Sequence, residues 1–263
     1  MPITRKSRAE IGKMRSAGRI VAEVLALSQE ALVPGISTAE LDRLAERHIR
    51  ASGGVPSFLG YLGGGRYDRH HSHAYPASTC ISIDQEIVHG IPGDREIKAG
   101  QLVSIDVGVI YDGWHGDGAR TFICGGDAAA SAAAVKLVET THLSLMAGIA
   151  AAVPGHRIGH ISAAVEDVAD TEGFGIIRHY VGHGIGTKMH EDPQVPNFRS
   201  RTPGIELAVG HCLAIEPMLT LGSEATATLP DNWTVVTSDG SLAAHFEHTI
   251  AITATGPEIL TTV

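Results

Sequence analysis

The feature that most constrains the fold of this chain is an ordered internal duplication. Ala31-Leu-Val-Pro-Gly35 returns 120 positions later as Ala151-Ala-Val-Pro-Gly155, and Glu46 and Gly53 fall on Glu166 and Gly173 at the same offset. Farther on, Glu96-Ile-Lys-Ala-Gly-Gln-Leu-Val-Ser-Ile-Asp106 matches Glu206-Leu-Ala-Val-Gly-His-Cys-Leu-Ala-Ile-Glu216 at an offset of 110, and an acid ends both copies. The period exceeds that of solenoid repeats, so the natural reading is two similar αβ halves related by a pseudo-twofold axis, with a site built from both.

Local signals fit such halves. Ser7 and Glu10 have capping-box spacing, and Ile11, Met14, Val21, Val24 and Leu25 follow at helical intervals, which predicts a helix over residues 8–30 stopped by Pro34-Gly35. Ser37 and Glu40 repeat the signal, with Leu41, Leu44, Ala45 and Ile49 as the apolar stripe of a second helix closed by Gly53-Gly54. The offset falls by ten between the two matched blocks, which places extra residues between Gly53 and Glu96. The run from Gly63 to His73, rich in glycine, charge and histidine, is read as a surface insertion.

Composition narrows the class. With 263 residues, 43% hydrophobic and 19% charged, the chain is folded rather than disordered or fibrous. A net charge of −9 argues against broad attraction to nucleic acid or to an anionic membrane. Cys80, Cys124 and Cys212 are odd in number and widely spaced, with no CxxC, so neither a disulfide framework nor a zinc ribbon is expected and a reducing cytoplasm fits. The N-terminus lacks an apolar signal core, and no apolar run reaches membrane-spanning length.

The chemistry lies in acids placed in β-rich, apolar surroundings. Residues 101–110 read as a strand, Asp112-Gly113 as a two-residue hairpin turn, and residues 114–122 as the returning strand. If Tyr111 faces Trp114, Asp117 lies opposite Gly108, on the sheet face that also carries Asp106. Gly108 would then leave room for a cation beside Asp117. Glu216 ends an apolar strand at the duplicated position, Glu247 enters another β-rich stretch, and His183 sits in the glycine-flanked Gly182-His-Gly-Ile-Gly186. Two carboxylates about 4 Å apart repel by roughly 4 kcal/mol at an effective dielectric of about 20, so four together require cations. Two divalent ions would balance four negative charges, and oxygen-rich ligation with one imidazole suits manganese, iron, cobalt or zinc.

These residues carry a family resemblance. His89-Gly-Ile-Pro92, Ile105-Asp-Val107, His115-Gly-Asp117, Gly182-His-Gly-Ile-Gly186, His190-Glu-Asp-Pro193, Ile215-Glu-Pro-Met218 and Glu247-His-Thr249 resemble, in order and spacing, the type I methionine aminopeptidases of the short bacterial form. The resemblance implies an α+β pita-bread fold, two pseudo-twofold-related αβ halves with a curved, mainly antiparallel sheet, as one catalytic domain over residues 1–263. It makes Asp106, Asp117, His183, Glu216 and Glu247 the ligands of two metals, with Asp117 and Glu247 bridging. It implies that Glu216 also shuttles a proton, that His190 stabilises the oxyanion, and that His89 contacts the scissile amide.

The methionine pocket implied by the same resemblance comprises Phe58, Tyr61, Tyr75, Cys80, His89, Met189, His190 and Trp233. Phe58 and Met189 depart from the common pattern, where a small thiol residue and an aromatic are more usual. The expected substrates are peptides and nascent-protein N-termini whose second residue is small, a description that the chain's own Met1-Pro2 meets. Transient ribosome association, a monomer, and no nucleic-acid or membrane role complete the expectation. Two competitors remain: an Xaa-Pro peptidase of the same fold, and a non-catalytic relative that binds peptide, RNA or a partner. The first usually carries an additional N-terminal domain, and the second need not keep all five ligands.

Overall fold

The computed structural model describes residues 3–63 and 73–263. Most of the insertion expected at residues 63–73 lies outside the described residues.

The first half opens with helix α1 (Arg8–Ala31), whose N-cap Ser7 and Glu10 form the expected capping box, and continues into α2 (Thr38–Ala51), capped in the same way by Ser37 and Glu40. Strands β1 (Val55–Pro56), β2 (Cys80–Ile83), β3 (Glu86–Val88), β4 (Leu102–Tyr111) and β5 (Trp114–Ile123) follow. The second half repeats the helix pair as α3 (Ala132–Ala151) and α4 (Ile158–Glu172). It then runs through β6 (Gly175–Ile176), β7 (Gly182–Gly184), β8 (Glu191–Val195), β9 (Cys212–Ile215) and β10 (Met218–Thr220). The last strands are β11 (Thr226–Thr228), β12 (Val235–Thr237), β13 (Ala243–His245), β14 (His248–Thr253) and β15 (Gly256–Ile259). Every strand pairing among the described residues is antiparallel.

The duplication is visible bond by bond. Ser37 bridges Glu96 in the first half, and Arg157 bridges Glu206 in the second, at the offsets of 120 and 110 read from the sequence. Gly35 N–H donates to Ile97 O and Gly155 N–H to Leu207 O, at 2.8 and 2.9 Å, while Thr38 and Ile158 donate to Arg95 O and Ile205 O, both at 3.1 Å. One cap differs. Where Ser37 and Glu40 close the start of α2, the backbone N–H of Arg157 donates to Nδ1 of His160 at 2.9 Å, so the imidazole at N3 does the work of the glutamate.

Asp112 and Gly113 have φ of 48° and 77°, the left-handed pair a two-residue hairpin turn demands. That turn sets the register from Tyr111↔Trp114 through Gly108↔Asp117 to Leu102↔Ile123. Val103, Ile105, Val107 and Val109 on β4 then pack with Val21, Val24, Leu41 and Ile49 of α1 and α2. Each such buried side chain contributes about 1.5–3 kcal/mol, so a one-residue slip that turned all four outward would be heavily disfavoured. The second half builds its own core in the same way, from Leu145, Ile149, Ile158 and Ile161 against Leu213, Ile215, Ile250 and Ile252. Alternation fixes what the other face of the sheet carries: Asp106 and Gly108 on β4, Asp117 and Thr121 on β5, Glu216 beyond β9, and Thr249 on β14.

The halves join where β5 meets the start of β14. Glu247 N–H donates to Ala119 O at 2.8 Å, and Ala119 N–H returns a bond to Glu247 O at 3.3 Å. On either side a threonine hydroxyl closes the seam. Thr249 Oγ1 accepts from Asp117 N–H at 2.9 Å and donates to Asp117 O at 2.8 Å, and Thr121 Oγ1 accepts from His245 N–H and donates to His245 O at 2.8 and 2.9 Å.

Candidate metal centre

The seam brings Asp117 and Glu247, 130 residues apart in sequence, to one spot, and β7, paired with β9, adds His183. One donor atom from each of Asp117, His183 and Glu247 falls within a 4.8 Å circle, and all three side chains are buried. His183 Nε2 lies 3.5 Å from Glu216 Oε1 and 3.8 Å from Asp117 Oδ2. Its Nδ1 is held 2.9 Å from Gly184 O, so the ring presents Nε2 to the acids. Asp106 faces the same cavity, and its charge is among those that raise the carboxyl groups of Asp117, Glu216 and Glu247.

Burial pushes the carboxyl of Asp106 up to about 7. Burial, and then the repulsion of their neighbours, drives those of Asp117, Glu216 and Glu247 well above the ordinary carboxylate range. No lysine or arginine among the described residues forms an ion pair with any of the four. Asp106 Oδ1, Asp117 Oδ1 and Glu247 Oε1 are buried without a hydrogen-bond partner. Buried oxygens of this kind are costly unless something positive meets them. A hard-donor set of carboxylates and one imidazole, without thiolate, therefore fits divalent cations.

The centre opens into a cavity of about 910 Å³. Its walls include every residue singled out from the sequence: Asp106, Asp117, His183, Glu216 and Glu247 on one side, and Phe58, Tyr61, Tyr75, Cys80, His89, Met189, His190 and Trp233 around them. Tyr75 and Trp233 meet edge to face at 5.1 Å, and the Tyr75 hydroxyl is spent on Thr79 O and Gly90 O, leaving its ring as an apolar wall. His89 stands on the loop after β3 with φ of 61° and faces the rings of Tyr180 and Trp233 at 5.7 and 6.2 Å. His190 packs its ring 4.3 Å from that of His183, and its Nδ1 lies 2.6 Å from the Tyr61 hydroxyl.

One detail of the sequence reading is corrected. Gly108 does not hold open a space for a cation. A methyl group there would come within 2.8 Å of Ser57 Cβ and 3.0 Å of Phe58 Cε1 and Met189 Cε. The absent side chain admits the pocket wall instead, so Phe58 and Met189, the two positions that depart from the common pattern, pack over the same glycine.

Sequence reasoning missed several participants. His245 is buried, lies 3.9 Å from Glu216 Oε2, and has its pKa pushed down to about 3 by burial. Its place two residues before Glu247 in a β-rich stretch was the available signal. Asn197 Nδ2 donates to Glu216 O at 3.0 Å and steadies that residue's backbone. No local pattern announces it.

The buried pair Lys6–Glu191 was also missed. Lys6 Nζ lies 2.7 Å from Glu191 Oε2, with the two side chains 4% and 15% exposed, and ties the N-terminal segment to the residue beside His190. Lys6→Met should destabilise the protein by about 3 kcal/mol, because it leaves a largely buried carboxylate without its cation. Lys6→Arg should lose much less. Urea unfolding with an unchanged m-value is the measurement, and a loss below about 0.5 kcal/mol for Lys6→Met would show the pair to be incidental.

Fold and site together define a metal-dependent hydrolase whose centre is assembled from two related halves. The model of metallopeptidase family M24 matches residues 12–254. Methionine aminopeptidase 1 of Bacillus subtilis is 47% identical over 98% of both chains, and that of Mycobacterium tuberculosis is 48% identical over 98% of this chain and 95% of its own. The crystal structure of methionine aminopeptidase from Thermotoga maritima superimposes with a TM-score of 0.92 at 39% identity, over 99% of this chain and all of that one. The chain belongs to metallopeptidase family M24 and, within it, to the methionine aminopeptidases of pita-bread fold. Prolidase from Pyrococcus furiosus, with a TM-score of 0.77 and 21% identity, shares the fold.

Proposed function

We propose that this protein removes the N-terminal methionine from peptides and nascent proteins whose second residue is small. In this reading residues 1–263 act as one catalytic domain. The observation that carries it is the convergence, beside an aromatic pocket, of four largely enclosed carboxylates and an imidazole, with no lysine or arginine among the described residues paired with them. Asp106, Asp117, His183, Glu216 and Glu247 would hold two divalent cations. Cobalt, manganese, iron and zinc all suit these donors. Bound there, such cations polarise a peptide carbonyl and lower the pKa of water toward neutrality.

The chain's own groups do the rest. The pocket of Phe58, Tyr61, Tyr75, Cys80, Met189 and Trp233 takes an unbranched thioether side chain. Glu216, ionised when a cation is bound, would accept a proton during attack by water and return it to the leaving nitrogen. Partial desolvation in the cavity, and the nearness of His89 and His115, lower the pKa of His190 and favour its neutral form. In the tautomer whose Nδ1 accepts from the Tyr61 hydroxyl, 2.6 Å away, Nε2–H would be the donor that meets the oxyanion. His89, on the cavity wall beside Tyr180 and Trp233, would contact the scissile amide.

The peptide substrates follow from that activity. A monomer working in the cytoplasm, in transient association with the ribosome, completes the reading, and the three free, buried cysteines suit a reducing compartment. Comparing hydrolysis of Met-Ala-Ser and Ala-Pro-Ala tests the reading on the metal-reconstituted protein. Met-Ala-Ser is expected to be cleaved after methionine and the proline peptide left intact. Preference for Ala-Pro-Ala would reject it in favour of an Xaa-Pro peptidase.

A further inference from the structure

We infer that the outer edge of β11 is a docking strand for the substrate main chain downstream of the cut. The hairpin of β11 and β12 links the inside of the pocket to its rim: Trp233, between the two strands, is a buried pocket wall, while Thr226 and Thr228 line the cavity where it meets solvent. β11 is an edge strand. Among the described residues it pairs with β12 alone, through Thr226↔Thr237, Ala227↔Val236 and Thr228↔Val235.

The register decides which way its polar groups point. Ser238 N–H donates to Ala225 O at 2.9 Å, and Leu229 N–H donates to Thr234 O at 2.8 Å. In an antiparallel ladder hydrogen-bonded pairs alternate with non-bonded ones. With Ala225 and Leu229 bonded to the partner strand, Ala227 is bonded as well. Thr226 and Thr228 are the non-bonded positions, so their N–H and C=O groups point away from β12, along the open edge beside the cavity. Among the described residues no other strand covers that edge.

The occupant follows from continuity with the site. A peptide with its first side chain in the methionine pocket must leave the cavity over some part of the rim, and an extended segment running beside β11 would meet two donors and two acceptors spaced for alternate residues. Such pairing recognises backbone and ignores side chains, which suits an enzyme whose substrates differ in everything after the second residue. This inference rests on the aminopeptidase reading above.

The experiment uses the metal-reconstituted, full-length protein and a series from Met-Ala to Met-Ala-Ser-Gly-Ser-Gly. kcat/KM is expected to rise about tenfold with length, the worth of one to two main-chain hydrogen bonds. N-methylation of single residues after the second should abolish that gain at alternate positions and spare those between. Thr228→Pro, which removes an outward N–H at a place where an edge strand tolerates proline, should cut the gain while cleavage of Met-Ala persists. Thr228→Val should keep the gain. A flat length series, or N-methyl effects that do not alternate, would overturn the docking strand with Met-Ala still cleaved. Failure to cleave any of the peptides would instead overturn the underlying reading. If Thr228→Pro does not fold, the N-methyl scan on the unaltered protein still decides.

Discussion

Stripped of divalent cations, the protein is expected to lose stability as pH rises above about 6.5, and to regain it when manganese or cobalt is restored. Asp106 carries a folded-state pKa of about 7, and Asp117, Glu216 and Glu247 are also raised well above the ordinary carboxylate range. A raised folded-state pKa means that the native protein binds the proton more tightly than the unfolded chain does. Its contribution is complete below the unfolded value near 4 and is lost as pH climbs through the folded one.

Buried histidines act in the opposite sense. Burial pushes His245 down to about 3, and His115 and His248 to about 4. Their contribution is present above pH 6.5 and lost as pH falls. Between about pH 4 and 6.5 the two sets offset one another. Between pH 6.5 and about 8 the carboxylates dominate, and stability should fall by about 1.4 kcal/mol per pH unit for each proton released. At higher pH the raised thiols of Cys80, Cys124 and Cys212 add a fall of their own. Saturating cation removes that slope, because the charge once met by protons is met by metal. Beyond 100 times its dissociation constant, cation should add about 2.7 kcal/mol or more. Thermal melts from pH 6.5 to 8, with chelator and with metal, read both effects. A metal-free protein whose melting point is level across that range would count against the buried acid cluster.

Asp106→Ala should reduce turnover of Met-Ala-Ser by more than about 100-fold, the upper end of what loss of an outer-shell support to a metal ligand costs. The same substitution should raise the melting point of the metal-free protein at pH 8, since it removes a carboxylate whose charge disfavours its three enclosed neighbours, and should shrink the stabilisation by added cation. Opposite effects on apo stability and on activity separate a site built for a cation from a residue needed for folding. Turnover within threefold of the unaltered protein would defeat the role assigned to Asp106.

Much of the architecture was legible because it is written in short-range code. Capping boxes at Ser7 and Ser37 announced the first two helices, and Asp112-Gly113 set the hairpin register that faces Gly108 with Asp117. The duplicated blocks announced the paired bridges Ser37↔Glu96 and Arg157↔Glu206. The acids stood out because charge inside an apolar strand is costly and needs a reason. What the motifs concealed were contacts with no local pattern: Lys6 with Glu191, Asn197 with Glu216, and the hydroxyls of Thr121 and Thr249 that close the seam. The expected space beside Gly108 failed for the same reason, because Ser57, Phe58 and Met189 arrive there from other parts of the chain.

From its residues alone, this chain specified two similar halves, the turn and strand pairing that put Asp106 and Asp117 on one face, and the donor types for a cation centre. Turn geometry, side-chain alternation and the cost of buried charge all act over a few residues, so order along the chain suffices to express them. Only the tertiary structure decided that Glu247 lands beside Asp117, that His245 stands behind Glu216, that Phe58 and Met189 fill the space over Gly108, and that the free edge of β11 borders the cavity. Those outcomes depend on how two separately packed cores dock across the seam, where the partners lie tens to hundreds of residues apart and are chosen by shape and burial.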